Sequence, residues 1–176
     1  MILSVYLHNK NDKMKALRYI GILILAAVIF SPGCKKNKLA GMKEYNLVEY
    51  GLPITILAPE NIKVDSKDRR VLNDVTIMGD DNFSLQIYAS DALQSDVGLL
   101  KKAQLDEVQS SPYFSKILKE DDNGFLYELQ LDSTTTICGF RYFYIMGDRE
   151  YVFQPGLAGK FSHEDVEVMY EAVQKK

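Results

Sequence analysis

The sequence predicts an α+β domain in which an antiparallel sheet is packed with two helices. Three observations carry this. Short runs rich in Val, Ile, Tyr and Phe recur between residues 45 and 154. Several are joined by loops of four residues or fewer, such as Gly79-Asp80-Asp81-Asn82 and Asp121-Asp122-Asn123-Gly124, and loops that short join only antiparallel neighbours. Two other segments repeat apolar residues at helical spacing instead.

In chain order, residues 45–50 and 53–58 are strands around Gly51, and Pro59 closes the second. Residues 62–64 continue it, and Ser66-Lys67-Asp68-Arg69-Arg70 is a polar loop. Residues 71–78 and 83–90 form a hairpin. Its second strand alternates strictly, with Phe83, Leu85, Ile87 and Ala89 on one face and Ser84, Gln86, Tyr88 and Ser90 on the other. A helix follows over residues 96–110, with Asp96 as N-cap and Val97, Leu100, Ala103 and Val108 on its apolar side; Pro112 ends it. Residues 115–120 and 125–131 make a second hairpin, where Asn123-Gly124 suits a primed turn because both residues tolerate positive φ. Residues 136–146 are a long strand that returns through Gly147-Asp148-Arg149 into 150–154. The last helix, residues 162–174, has Ser162 as its cap, Glu164 and Asp165 at its positive end, Phe161 stapled to Val166, and a stripe of Val166, Met169, Tyr170 and Val173.

Ahead of this domain stands an address. Met14-Lys15-Ala16-Leu17-Arg18 is a basic start, residues 19–30 are an uncharged apolar run of 12, and Ser31-Pro32-Gly33-Cys34 precedes a sharp return to Lys35-Lys36-Asn37-Lys38. The run is too short for the ~20 residues a spanning helix requires. Residues 14–33 are therefore a secretory signal, 34–43 a flexible tether and 44–176 one domain. Residues 1–13, with Asp12 among them, are out of place before a signal, which points to translation starting at Met14.

Gly33-Cys34 at the end of such a core resembles the lipobox of bacterial lipoproteins. The resemblance implies cleavage after Gly33, a diacylglyceryl thioether on Cys34 and acylation of the new amine. The chain would then be lipid-anchored to a bilayer of the cell envelope. The basic residues after Cys34, where surface-exported lipoproteins of some bacteria carry acidic ones, point to a domain facing the periplasm. Leu52-Pro53-Ile54-Thr55-Ile56-Leu57-Ala58-Pro59 with Ile62-Lys63-Val64, and Tyr151-Val152-Phe153 followed by Phe161, Val166 and Val173, resemble the opening and the ending of PsbP-like and Mog1-like domains. That likeness implies a non-enzymatic accessory role and transfers no site residue.

Charge and residue supply exclude several chemistries. From Cys34 onward 17 Lys/Arg face 23 Asp/Glu, a formal charge of −6, which disfavours nucleic acid as a partner. Cys138 has no cysteine partner if Cys34 carries lipid, so no disulfide framework is expected. His163 is the one histidine after the signal, and Glu167 stands where a zinc-protease helix requires its second histidine. Cys138, between Ile137 and Gly139 in a strand, reads as a buried structural thiol; an envelope hydrolase or thiol enzyme using Cys138 or His163 is the alternative function. Gly156-Leu157-Ala158-Gly159-Lys160 fails as a phosphate loop, and Asp80-Asp81 and Asp121-Asp122 read as turn residues rather than calcium ligands. No cofactor is expected. The candidate binding face is Phe140, Tyr142 and Tyr144, which share one side of the long strand, with Arg141, Phe143 and Ile145 on the other. Left open, that aromatic side would take a partner protein of the envelope or a small apolar ligand; a sheet covered on both sides is the competing arrangement.

Overall fold

The computed structural model describes residues 38–174 apart from 70 and 158, so the signal, Cys34 and the tether as far as residue 37 lie outside the described residues. The fold class is the expected one. Two strands, β1 (Lys43–Asn46) and β2 (Thr55–Ala58), pair as a small antiparallel ribbon. Seven more form the main sheet: β3 (Ile62–Asp68), β4 (Leu72–Gly79), β5 (Ser84–Asp91), β6 (Phe114–Asp121), β7 (Gly124–Gln130), β8 (Thr136–Met146) and β9 (Arg149–Pro155). Their order is β3-β4-β5-β9-β8-β7-β6, and every neighbouring pair is antiparallel. Helix α1 (Val97–Gln109) lies between β5 and β6 in sequence, and helix α2 (His163–Gln174) ends the described chain.

The helix ends carry the expected caps. The Asp96 carboxylate accepts from the backbone N–H of Gly98 at 2.8 Å and of Leu99 at 3.4 Å, satisfying donors that the helix itself leaves free. At α2 the Ser162 hydroxyl accepts from the Asp165 N–H at 3.2 Å, and the Asp165 carboxylate accepts from the Ser162 N–H at 2.8 Å. This is a reciprocal capping box with Asp in the usual Glu position.

Alternation along the strands places the core. Val75 and Ile77 of β4, Leu85, Ile87 and Ala89 of β5, Leu126 of β7, Phe140 and Tyr142 of β8 and Tyr151 and Phe153 of β9 are buried on one face. The α2 stripe of Val166, Met169, Tyr170, Ala172 and Val173 packs there, together with Leu47, Leu52, Ile56 and Ala58 from the β1–β2 ribbon. The opposite face carries a second core under α1, formed by Leu100, Val108, Phe125, Tyr127 and Phe143. The strands under both helices are accordingly apolar on both sides, whereas β4 and β5 are apolar on one.

Three boundaries differ from the sequence reading. Packing reaches back past residue 44: Leu39 is buried in the core, and the Lys38 ammonium pairs with Glu167 of α2. The first strand stops at Asn46, whose side-chain oxygen accepts from the Val48 N–H at 2.9 Å and turns the chain into a single 3₁₀ turn, Val48–Tyr50, capped by Gly51 at φ 77°. The polar segment from Ser66 to Asp68 continues β3 instead of forming a loop. It is an edge strand, and its charged residues keep a further strand from adding to it. The other edge, β6, is interrupted by two register shifts.

The turns also redistribute. Asp81 (φ 55°) and Asn82 (φ 60°) take the two left-handed positions of a primed turn, closed by the Phe83 N–H donating to the Asp80 carbonyl at 3.1 Å. In the second hairpin Asp121 pairs with Gly124, so the loop is Asp122-Asn123 and Gly124 opens β7. Gly124 has no positive φ. It is glycine because a Cβ there would lie 2.5 Å from the Arg141 carbonyl oxygen and 2.7 Å from the Tyr170 hydroxyl.

Candidate functional site

The face expected to bind is the one α2 covers. Phe140 is completely buried, with its ring edge-on to Tyr170 at 5.6 Å between centroids, and Tyr142 meets the same Tyr170 ring at 5.9 Å. As an exposed platform this face is therefore overturned at Phe140: a helix needs an apolar surface to bury its stripe on, and this is the surface that supplies it. Phe143 and Ile145 lie beneath α1, so β8 is covered on both sides.

The two tyrosines nonetheless reach a cavity. Beyond the end of α2, Tyr142, Tyr144 and Met146 of β8, Phe153 of β9, Val173 of α2 and the Pro53-Ile54-Thr55 approach to β2 enclose about 320 Å³. That lies at the lower end of the roughly 300–1,000 Å³ typical of small-molecule sites. Its walls are apolar apart from the tyrosine hydroxyls and Thr55. Tyr142 stacks obliquely on Phe153 at 5.7 Å and Tyr144 on Tyr151 at 6.1 Å, so both rings are held in place rather than free to close the space. The sequence pointed to the tyrosines. It did not bring Pro53-Ile54 and Val173, two segments far apart in the chain, to this site; the one available signal was Pro53, which keeps the chain out of the ribbon until Thr55.

A second, polar cleft of about 420 Å³ lies at the other end of α2, among Lys38, Gly41, Pro59, Phe83 and the carboxylates of Glu60, Asp80, Asp81, Glu164 and Asp165. Several of its acids are engaged already. Asp80 accepts from the Asn61 amide at 3.0 Å, Asp165 serves the α2 cap and accepts from Asn82 at 3.0 Å, and Glu60 pairs with Lys43. Among the described residues no group of three or more His, Cys, Asp or Glu is placed to hold a metal ion.

The residues of the enzymatic alternative are placed as follows. His163 is exposed at the first turn of α2. Cys138 lies in β8, half-buried rather than fully buried, with its backbone N–H donating to the Phe161 carbonyl at 2.9 Å. Burial, and then the negative charges of Glu128 and Asp165, push the Cys138 thiol up, with Lys116 only partly offsetting them. A nucleophilic cysteine needs the opposite shift. Asp121, beside the second hairpin loop, is held below the ordinary carboxylate range: burial would raise it, but the Lys119 ammonium bonded to it, with the Tyr170 hydroxyl nearby, outweighs that. Its neighbours identify it as a structural anchor. Lys119 bridges to it at 3.1 Å and lies 5.3 Å above the Tyr170 ring, and Gln174 approaches it at 3.5 Å.

Among the described residues no helix is long and apolar enough to cross a membrane. No family model matches the chain, and neither a curated protein nor a solved structure matches it.

Proposed function

We propose that this protein is a lipid-anchored module of the bacterial cell envelope that binds, without catalysing a reaction, an apolar group in the cavity walled by Tyr142 and Tyr144. The observation that carries the location is the leader: a basic start, 12 uncharged residues and Gly33-Cys34, too short to span and ending on an acylatable sulfur. Two acyl chains or more on Cys34 give stable anchoring where one gives only reversible contact. Three residues separate Cys34 from Lys38, which pairs with Glu167 of the domain. At up to ~3.6 Å per residue the leash reaches roughly 14 Å, which keeps the domain at the bilayer surface. Lys35 and Lys36 add attraction to anionic headgroups. The accessory role that the PsbP-like and Mog1-like resemblance implies agrees with this reading, and a periplasmic orientation follows from the basic residues after Cys34.

The binding half rests on the cavity. A domain of this acidity that keeps apolar walls accessible presents a surface suited to an apolar ligand or to an apolar side chain of an envelope protein. In cells fed radiolabelled fatty acid, the protein should carry label and sediment with membranes, and Cys34→Ala should lose both. Equal sedimentation of Cys34→Ala would sink the anchor. For the cavity, the fluorophore ANS should bind saturably, and Thr55→Trp, which fills the space, should abolish the signal. Unchanged ANS binding in Thr55→Trp would remove the cavity from the proposal.

A further inference from the structure

The apolar cavity at the end of α2 contains a polar group that the protein itself leaves unused. Tyr142 lines this cavity and is buried, with 9 % of its surface exposed. Its ring is clamped: Tyr170 meets it edge-on at 5.9 Å, and Phe153 packs obliquely at 5.7 Å. The hydroxyl therefore has a fixed place. Among the described residues it has no hydrogen-bond partner, yet it is not sealed from water. The sealed and unbonded side-chain atoms are the Arg141 Nε and the Tyr170 hydroxyl. A tyrosine this buried ordinarily finds a partner for its hydroxyl.

The rest of the lining supplies apolar surface without charge. None of the described residues that wall the cavity is ionisable except the tyrosines, and the exposed ones are Pro53 and Thr55. Ile54 spends its backbone within the protein. Its N–H donates to the Leu52 carbonyl at 2.8 Å, and its carbonyl accepts from the Leu47 N–H at 2.9 Å. An ionised group placed inside would lose its water with no opposite charge to replace it. An uncharged oxygen loses little, since a hydroxyl stands ready to bond it.

Size narrows the occupant further. A cavity of about 150 Å³ takes one benzene ring. This one holds about 320 Å³, which is room for two fused rings. A single Leu or Phe side chain from a partner protein would fill only about half of it and leave Tyr142 unbonded. The rings of Tyr142, Tyr144 and Phe153 and the Met146 thioether form much of the wall. Both kinds of surface favour a flat aromatic body over a flexible alkyl chain.

We infer that the cavity takes an uncharged two-ring aromatic molecule carrying one oxygen, which is hydrogen-bonded to Tyr142. The inference rests on the proposal that this cavity binds an apolar group, and it adds the class of molecule. The rings fill the apolar space, and the oxygen replaces water on the tyrosine hydroxyl.

The test uses the full chain carrying Cys34→Ala, which has no acyl chains to take up the probe. It is titrated with 2-naphthol and with naphthalene, which has the same rings and no oxygen. The chain has no tryptophan, so naphthyl fluorescence reports binding directly. Both should bind saturably, 2-naphthol about fivefold more tightly, as for one ordinary hydrogen bond. In Tyr142→Phe, which keeps the ring, that advantage should disappear. 2-Naphthoate, with a carboxylate in place of the hydroxyl, should bind at least tenfold more weakly than 2-naphthol. Equal affinity of 2-naphthol and naphthalene, or an advantage that survives in Tyr142→Phe, overturns the bond to Tyr142. 2-Naphthoate binding as tightly as 2-naphthol overturns the uncharged assignment. Should 2-naphthol not bind at all, the assignment falls as a whole. Saturable ANS binding would then leave the apolar cavity standing, and its absence would remove both.

Discussion

The two faces of the main sheet are built from the same strands, but they solve different problems. The face under α2 is apolar across five strands, from Val75 and Ile77 in β4 to Leu126 in β7, and Gln86, Asp74 and Arg141 have no counterpart there. The face under α1 is apolar only across β6, β7, β8 and the edge of β9, and is polar over β3, β4 and β5. The difference follows from how much helix is available. Helix α2 has the β1–β2 ribbon beside it, so their apolar side chains together cover the width of the sheet. Helix α1 has no such companion and leaves the outer strands to water, where only polar side chains can face it. Stability is therefore concentrated on the face that α2 and the ribbon cover.

Truncation measures that division most directly. Tyr170→Ala removes a completely buried ring that two aromatic partners meet edge-on, and should cost about 3–5 kcal/mol in urea denaturation. Leu100→Ala, in the smaller core with 8 % of its surface exposed, should cost nearer ~2 kcal/mol, the low end for such changes. Thr76→Val on the uncovered part should stay within ~0.5 kcal/mol. A larger loss at Leu100 than at Tyr170 would reverse the comparison.

Glycine substitutions sharpen it, one on each face. A Cβ at Gly124 meets the backbone oxygen of Arg141 at 2.5 Å and the Tyr170 hydroxyl, and neither can yield without moving α2 or β8. A Cβ at Gly139 meets the Tyr127 ring, also at 2.5 Å, toward α1. Both alanine variants should be overpacked by about 1–3 kcal/mol, with Gly124→Ala the worse because a backbone atom cannot rotate aside. Thermal unfolding of the pair gives the ranking; equal melting points would mean that α2 is as adjustable as α1.

What the sequence disclosed and what it hid follow the same division. Strands with one buried face announce themselves: β5 alternates Leu85, Ile87, Ala89 against Gln86, Tyr88, Ser90, and it was readable to within a residue. So were the Asp96 and Ser162 caps, because a cap is a local hydrogen bond between neighbours in sequence. The far end of β3 was not, since Ser66, Lys67 and Asp68 have little buried surface and form a strand only because β4 offers a partner. Leu39 was hidden for a related reason: one apolar residue among lysines makes no pattern, and its burial depends on a core assembled from distant segments. Gly124 was read as a turn residue when its reason is crowding by Arg141 and Tyr170, a contact that spacing does not reveal. The cavity was half legible. The aromatic alternation of β8 named Tyr142 and Tyr144, but only the fold brings Pro53 and Val173 to them. Arg141 was placed on the correct strand face, opposite to Phe140 and Tyr142.

The smallest effect concerns the first described residue of the domain, Lys38. Lys38 and Glu167 shift each other in opposite senses. A hydrogen bond from Lys38 is the main cause holding the Glu167 carboxyl below its ordinary 4.5, and the same bond raises the Lys38 ammonium above 10.5. A depressed carboxylate contributes stability that is complete above pH ~4.5 and is lost as pH falls through the lowered value; the raised lysine contributes up to its ordinary range and is lost above it. Both side chains are about a third exposed, so solvent screens the pair and it should contribute below ~1 kcal/mol, less at high salt. Lys38→Met should therefore return the Glu167 titration, followed by NMR, toward its ordinary range while leaving the melting point at pH 7 almost unchanged. Should Lys38→Met instead leave Glu167 titrating as before, the ammonium does not dock on α2.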